Sequence, residues 1–287
     1  IYYLYVVDEN GLLLGIVSAR QLVSSLGKPT KTLGEMMESD VVVALVTDHQ
    51  EEVAQKVEKY NLLAIPVVDS GRQLVGIITH DDVIDVVREE LEEDAQRIAA
   101  VTPLEEAFLQ VGLLTLSWKR GIWLTILFFA ALLTAFALFH YDQELAQYEW
   151  LVWFIPLIIS AGGNSGSQSA TLVITAMTSG DVQFRDWPQV MRREVIVALM
   201  LGGFLAMIGY GVAFFLAPTH YDALVIPLTL LLVIFCGCFC GGALPMIFKR
   251  LGLDPAMMSN PFVAGIVDIL GIVIYINVAR LILGSSG

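Results

Sequence analysis

The sequence predicts a multidomain chain: a small α/β module followed by an all-α membrane domain of five transmembrane helices. The first observation is composition. The 287 residues are 56% hydrophobic and only 16% charged, with a mean hydropathy of +0.70, too apolar for an ordinary soluble domain of this length. The second is the placing of charge: residues 1–118 hold 20 acids against 8 Lys and Arg, whereas residues 119–287 hold 9 against 8. The third is a set of five long stretches nearly free of charge, all in the second part. A net charge of −13 argues against a nucleic-acid binder, since little here could neutralise a run of phosphates. Metal cations are the natural partners of the acidic part. Cys236, Cys238 and Cys240 share one apolar stretch, so a secreted disulfide framework is not on offer. No Ser/His/Asp or Cys/His set points to an enzyme. The chain opens at Ile1, without a methionine and in mid-strand, and is expected to lack an upstream part. Gly284-Ser285-Ser286-Gly287 reads as a cloning remnant.

The first part contains a broken repeat. Val6-Val7-Asp8 with Gly15-Ile16-Val17-Ser18 returns, 61 residues on, as Val67-Val68-Asp69 with Gly76-Ile77-Ile78-Thr79. Each copy reads as strand, turn, strand and helix start. Ahead of the second copy, Val53, Ala54, Val57 and Tyr60 recur at helical spacing, and residues 64–68 read as a strand. This unit resembles the CBS (cystathionine-beta-synthase) module, a regulatory domain that works in pairs. Residues 1–27 would be the C-terminal half of a first module and residues 28–88 a complete second one. In CBS modules that bind adenosine nucleotides, Gly-h-h-Thr-x-x-Asp supplies ribose contacts; Gly76, Thr79 and Asp82 fit that pattern, which would admit ATP here. A Thr and an Asp at a helix start also make a plain cap. The first copy has Gln21 where the Asp would stand.

An acidic helix follows. Of the 14 residues from Asp81 to Asp94, eight are acidic, with Arg88 alone opposing them. Spacing of three and four stacks Asp82, Asp85, Glu89 and Glu93 on one face, where like charges repel. Either this face is solvated or it shares a divalent cation with a second surface. Carboxylates without His or Cys favour Mg²⁺ or Ca²⁺ over zinc.

The apolar stretches cover residues 121–139, 150–180, 195–219, 223–248 and 255–279. Each is long enough to cross a bilayer core of about 30 Å. Lys119, Arg120, Arg185, Arg192, Arg193, Lys249 and Arg250 fall in the connections of one side, which the positive-inside rule makes cytoplasmic; the C-terminus then lies outside. Arg280 is the exception and would snorkel to the outer interface. The second stretch carries Pro156, Gly162, Gly163, Asn164, Gly166 and Gln168, and is expected to be broken, with unwound backbone lining a watery path. Small-residue helix packing is the alternative for its glycines. The fifth holds Asp268, the one carboxylate expected deep in the membrane. An ionised Asp there costs roughly 2.5 to 3.5 kcal/mol, so it should meet a cavity, a partner or an ion. Ala264, Gly265 and Gly271 share its side of the helix. A protonated Asp bonded to a neighbouring helix is the plainer reading. Cys236 and Cys240 lie four apart on one face, and packing explains them better than a soft metal does.

Together these residues carry a close resemblance. Gly162-Gly163-Asn164-x-Gly166-x-Gln168-x-Ala170-Thr171, Leu253-Asp254-Pro255-Ala256 with Ser259-Asn260-Pro261, and Asp268 followed by Gly271, Tyr275 and Ala279-Arg280 are similar to the MgtE family of magnesium channels and transporters. So is the run from Gly76 to Val86 leading into the acidic helix. The resemblance implies a homodimer in the cytoplasmic (inner) membrane with its pore at the subunit interface, lined by the second and fifth spans. It implies Asp268 as the selectivity carboxylate, with Asn164, Asn260, Ala264 and Gly265 along the pore. It implies closure when cytoplasmic Mg²⁺ binds acidic surfaces, here Asp82, Asp85, Glu90, Glu93 and Asp94, with Glu51 a weaker candidate. Residues 89–118 would be the acidic connecting ("plug") helix and 119–283 the pore domain. The family's N-terminal helical domain and the first half of the first CBS module have no counterpart here. A secondary divalent-cation transporter coupled to H⁺ or Na⁺, and a membrane-anchored nucleotide sensor, are the other classes in view.

Overall fold

The computed structural model describes residues 3–25 and 32–284. The junction expected at 27/28 and the tail at 285–287 lie outside the described residues. Two compact units divide between Glu92 and Glu93.

In the first unit, β1 (Tyr3–Val7) and β2 (Leu13–Ser18) form an antiparallel hairpin that runs into α1 (Ala19–Ser25). Then come α2 (Leu33–Met36), β3 (Ala44–Leu45), α3 (Gln50–Lys59), β4 (Ala64–Val68), β5 (Leu74–Thr79) and α4 (His80–Ile98). β3 lies parallel to β4, and β4 antiparallel to β5. The repeat read from sequence is a repeat of structure. Val6 pairs with Gly15 as Val67 pairs with Gly76, and each hairpin bulges one residue later. Each turn is closed by one aspartate: Asp8 Oδ1 accepts from the Asn10 and Leu12 amides at 2.9 and 2.8 Å. Asp69 Oδ1 does the same for Gly71 and Gln73. The two turns meet, with the Leu13 amide donating to the Arg72 carbonyl and the Leu74 amide to that of Gly11. A small core of Ala44, Val53, Ala54, Val57, Ile65 and Val83 joins α3, α4 and the three-stranded sheet.

α4 runs without a break through the expected boundary at 88/89. The connecting helix expected over 89–118 does not persist: α4 ends at Ile98, Ala100 takes φ +58°, and residues 99–112 contain no helix. Pro103 lacks the amide that continuation would need.

The second unit is helical: α5 (Leu113–His140), α6 (Asp142–Gln147), α7 (Ile155–Thr178), α8 (Trp187–Leu216), α9 (Val225–Arg250) and α10 (Asn260–Leu283). Four of these, α5, α8, α9 and α10, are long and apolar enough to span a membrane. α7 is not among them because of its Gly, Ser, Asn and Gln content, although its 24 residues would reach about 36 Å at 1.5 Å each. No residue of α5 is buried within the chain, whereas α7, α9 and α10 share a core that includes Ile158, Ile174, Val233, Val267, Ile272 and Tyr275.

The second stretch is not broken, contrary to expectation. α7 is one continuous helix, with Pro156 in its first turn, where its missing amide is harmless. Its glycines serve close packing instead. A methyl group on Gly237 would stand 2.6 Å from the Gly162 carbonyl oxygen, and one on Gly241 would strike the Gly166 carbonyl and stand 2.8 Å from Ser169 Cβ. The hydroxyls are absorbed along the helix itself: Ser165 donates to the Ala161 carbonyl and Thr171 to that of Ser167. With these groups satisfied, nothing compels the backbone to unwind.

Replacing Gly241 by Ala is expected to destabilise the bundle by about 1 to 3 kcal/mol through overpacking. Gly203→Ala on α8, where a methyl meets nothing within 4 Å, should be neutral or stabilising by up to about 1 kcal/mol. Thermal midpoints of the two variants in detergent check the opposite signs.

Candidate ion-binding seam

α7 and α10 run antiparallel against each other and bring most of the expected pore residues to one seam. At one end, Thr171 Oγ1 lies 3.0 Å from Asn260 Oδ1 and shares its one proton between that oxygen and the Ser167 carbonyl, and Ser167 Oγ donates to the Asn260 carbonyl at 3.1 Å. Further along, Gly163 faces Asp268 and Ala264: a methyl there would stand 3.1 Å from Asp268 Oδ1 and 3.4 Å from Ala264 Cβ. Asn260, Ala264 and Asp268 follow at intervals of four and so share a face of α10. The missing side chain at Gly163 is what lets the carboxylate lie against α7. Asp268 and Asn260 are both half-buried, and no Lys or Arg ion pair reaches Asp268 among the described residues.

Two expected residues stand apart from that contact. Asn164 is exposed and donates to Ser160 Oγ at 3.1 Å. Gly265 has nothing within 4 Å of where a methyl would be. Gly271 packs on Val233 rather than facing open space. No role was assigned from sequence to Ser160, Gly163, Ser167 or Thr171. Their spacing of three and four on one helix was the available signal.

Sequence reading also missed a second carboxylate among the helices. α8 begins at Trp187, so Glu194 lies two turns inside it, where it accepts from Ser169 of α7 at 2.6 Å. The flanking Arg192 and Arg193 had marked the position as a connection. At the other end of α10, Arg280 pairs with Glu144 of α6 and stacks over the Tyr141 ring. The guanidinium beside Glu144 holds its carboxyl below the usual range. The Tyr275 hydroxyl, buried, donates to the Leu151 carbonyl at 2.9 Å.

The acidic residues of the first part are mostly engaged one by one. Asp82 accepts from the Thr79 amide at 2.9 Å and the Thr79 hydroxyl at 2.5 Å, and these bonds, the hydroxyl's first, hold its carboxyl pKa below the usual Asp range. Gln21 in the first copy makes the same two bonds to Ser18, at 2.8 and 2.9 Å, so this is a helix cap in both repeats. Gly76 leaves open space above it. Glu90 accepts from Gln50 at 2.5 Å, while Asp85 is exposed. Glu93 pairs with Arg97, whose guanidinium also reaches Asp254 in the turn before α10. Glu51 and Asp94 each take part in a further interaction. Among the described residues, no three His, Cys, Asp or Glu side chains come together as a metal site. The acidic face does not close a regulatory cation site by itself.

These features define a helical membrane domain with a polar seam, joined to an α/β module built on a repeated hairpin. Residues 155–278 match the MgtE family model, described as a divalent cation transporter, and residues 33–89 match the CBS domain model. The chain therefore carries one segment that matches the MgtE family model and one that matches the CBS domain model. It is 38% identical to a magnesium transporter MgtE of Thermus thermophilus and 31% identical to one of Bacillus subtilis, over 99% of this chain and 62% of each relative. The chain thus spans less than two thirds of those relatives' length. A solved cytosolic domain of the Mg²⁺ channel MgtE in complex with ATP is 45% identical over 30% of this chain and 34% of its own, with a TM-score of 0.28.

Two expectations concern these contacts. Asp82 is held as a carboxylate in the folded state, so its cap contributes stability above the unfolded value near pH 3.9. That contribution fades as pH falls through the lower folded value. The gap in thermal midpoint between the parent and Asp82→Ala should therefore be full at pH 7 and shrink below about pH 4. For Arg97 and Asp254, a double-mutant cycle with Arg97→Gln and Asp254→Asn should give a coupling of about 0.5 to 1 kcal/mol in thermal or denaturant unfolding.

Proposed function

We propose that this chain forms a Mg²⁺-selective pore that imports Mg²⁺ across the cytoplasmic membrane, with α5, α7, α8, α9 and α10 all spanning the bilayer. The observation that carries this is the seam: Asp268 lies against Gly163, in line with Asn260, Thr171 and Ser167. A carboxylate without a basic partner at membrane depth is costly unless a cation passes or stays. Mg²⁺ gives up its water reluctantly and suits one or two carboxylates with polar groups and carbonyls around them. In a homodimer, two copies of Asp268 would face one path, and two charges discriminate for a divalent over a monovalent ion. The identity to magnesium transporters over nearly the whole chain supports Mg²⁺ as the substrate.

In this reading the CBS part is cytoplasmic and the C-terminus outside, as the placement of basic residues favours. The acidic face of α4, with Asp82, Asp85, Glu90, Glu93 and Asp94, senses cytoplasmic Mg²⁺ only together with a second surface, because among the described residues it closes no site by itself. Glu51 lies at the start of α3 and would belong to the same surface. An adenosine nucleotide at Gly76, Thr79 and Asp82 would compete with the Thr79 cap for the Asp82 carboxylate.

Liposomes containing this protein should take up Mg²⁺ under an imposed voltage with no proton or sodium gradient, and Asp268→Ala should abolish the uptake or its selectivity. Uptake that appears only after a second ion gradient is added would replace the pore by a coupled transporter. Equal flux through Asp268→Asn would sink the role given to the carboxylate. Millimolar Mg²⁺ is expected to protect residues 82–94 from protease, and unchanged cleavage would remove the sensing role.

A further inference from the structure

We propose that Glu194 is a positioning residue for the polar seam, holding α7 from behind so that Gly163, Ser167 and Thr171 face α10. The proposal rests on the reading of that seam as the cation path. At 100° per residue, Ser160, Gly163, Asn164, Ser167 and Thr171 fall within an arc of about 100° on α7. Ser169 lies about 180° from the middle of that arc. It is buried, and its hydroxyl donates to Glu194 Oε2 at 2.6 Å. On the same residue α9 approaches closely, since a methyl on Gly241 would stand 2.8 Å from Ser169 Cβ, so α8 and α9 both meet the face of α7 that points away from the seam.

Glu194 is itself held. Its stem rests on Gly242, where a methyl would stand 2.9 Å from Cγ and 3.8 Å from Cβ, and Met191, one turn earlier, lies on the same glycine. The carboxylate is thus aimed by α9 and bonded to α7. A carboxylate accepts only, which leaves the Ser169 hydroxyl one direction in which to donate. Without that acceptor the hydroxyl can turn to the carbonyl one turn back on its own helix, and the hydrogen bond fixing the rotation of α7 is gone. The glycine contacts alone set how close α7 and α9 approach. They leave small rotations of a smooth helix surface weakly opposed, and a directional bond supplies what they lack.

The test uses the whole chain, with Glu194→Gln, Glu194→Leu and Ser169→Ala. One readout is the Mg²⁺ flux into liposomes and its discrimination against Na⁺. The other is the rate of disulfide formation in a Thr171→Cys/Asn260→Cys pair, read by mass spectrometry in a background lacking Cys236 and Cys240. Glu194→Gln keeps an acceptor oxygen and should match the parent in both. Glu194→Leu and Ser169→Ala should slow disulfide formation about fivefold or more, the equivalent of roughly 1 kcal/mol, and reduce discrimination. Parent-like behaviour of Glu194→Leu and Ser169→Ala would overturn the proposal. So would a Glu194→Gln variant that forms the disulfide normally but loses flux, since the charge would then act on the ion directly. Absence of Mg²⁺ flux in the parent would sink the reading of the seam, while the disulfide rates would still decide whether Glu194 positions α7.

Discussion

The approach of α7 to α9 at their glycines is the constraint on which the membrane unit depends. The Gly162 and Gly166 carbonyls press on α9 at Gly237 and Gly241, at distances that no side chain would tolerate. Inside a bilayer there is no hydrophobic drive to press helices together, so such contact must come from shape and from polar groups. Once α7 lies this close to α9, Val233 of α9 and Val267 of α10 fill the space around Gly162, and α10 packs beside α9 on the same glycines of α7. The seam is a consequence. Its polar side chains are available because the glycines, rather than Ser or Asn, carry the packing.

That arrangement also explains why a helix so rich in polar residues stays helical. Every backbone group in a bilayer needs a partner, and a continuous helix gives them all one. The Ser and Thr hydroxyls then bond back to their own helix, as Ser165 does, cross to α10, as Ser167 does, or lie between the two, as Thr171 does. A carbonyl oxygen has a second lone pair for such a hydroxyl, so polar character at mid-membrane depth and regular structure are compatible.

Much of this was legible in the residues. The 61-residue repeat, the turn aspartates and the apolar periodicity placed the hairpins and most of the helices, because each is a local matter of spacing. Asp268 was visible because a lone acid in an apolar run stands out. The continuity of α7 was not legible, since Gly and Pro signal breaks only when no neighbouring helix packs on them, and the neighbour is Gly237 and Gly241 some 70 residues away in sequence. Glu194 was hidden for the opposite reason: two arginines beside it made a helix turn look like a loop. The end of α4 at Ile98 was likewise masked by acidic residues that fit a longer helix.

The two hairpins offer an internal control on the acidic helix. Ser18 with Gln21 and Thr79 with Asp82 make the same pair of bonds at the same place in the repeat. A neutral amide therefore suffices to start the helix, and the charge on Asp82 is not required by folding. It is the first of a series continued by Asp85, Glu89 and Glu93 on one face, which raises repulsion along α4. α1, capped by Gln21, has no acid in its first turn. The fold can do without that accumulated charge, and it is this surplus that the cation-sensing role proposed for the acidic face would account for.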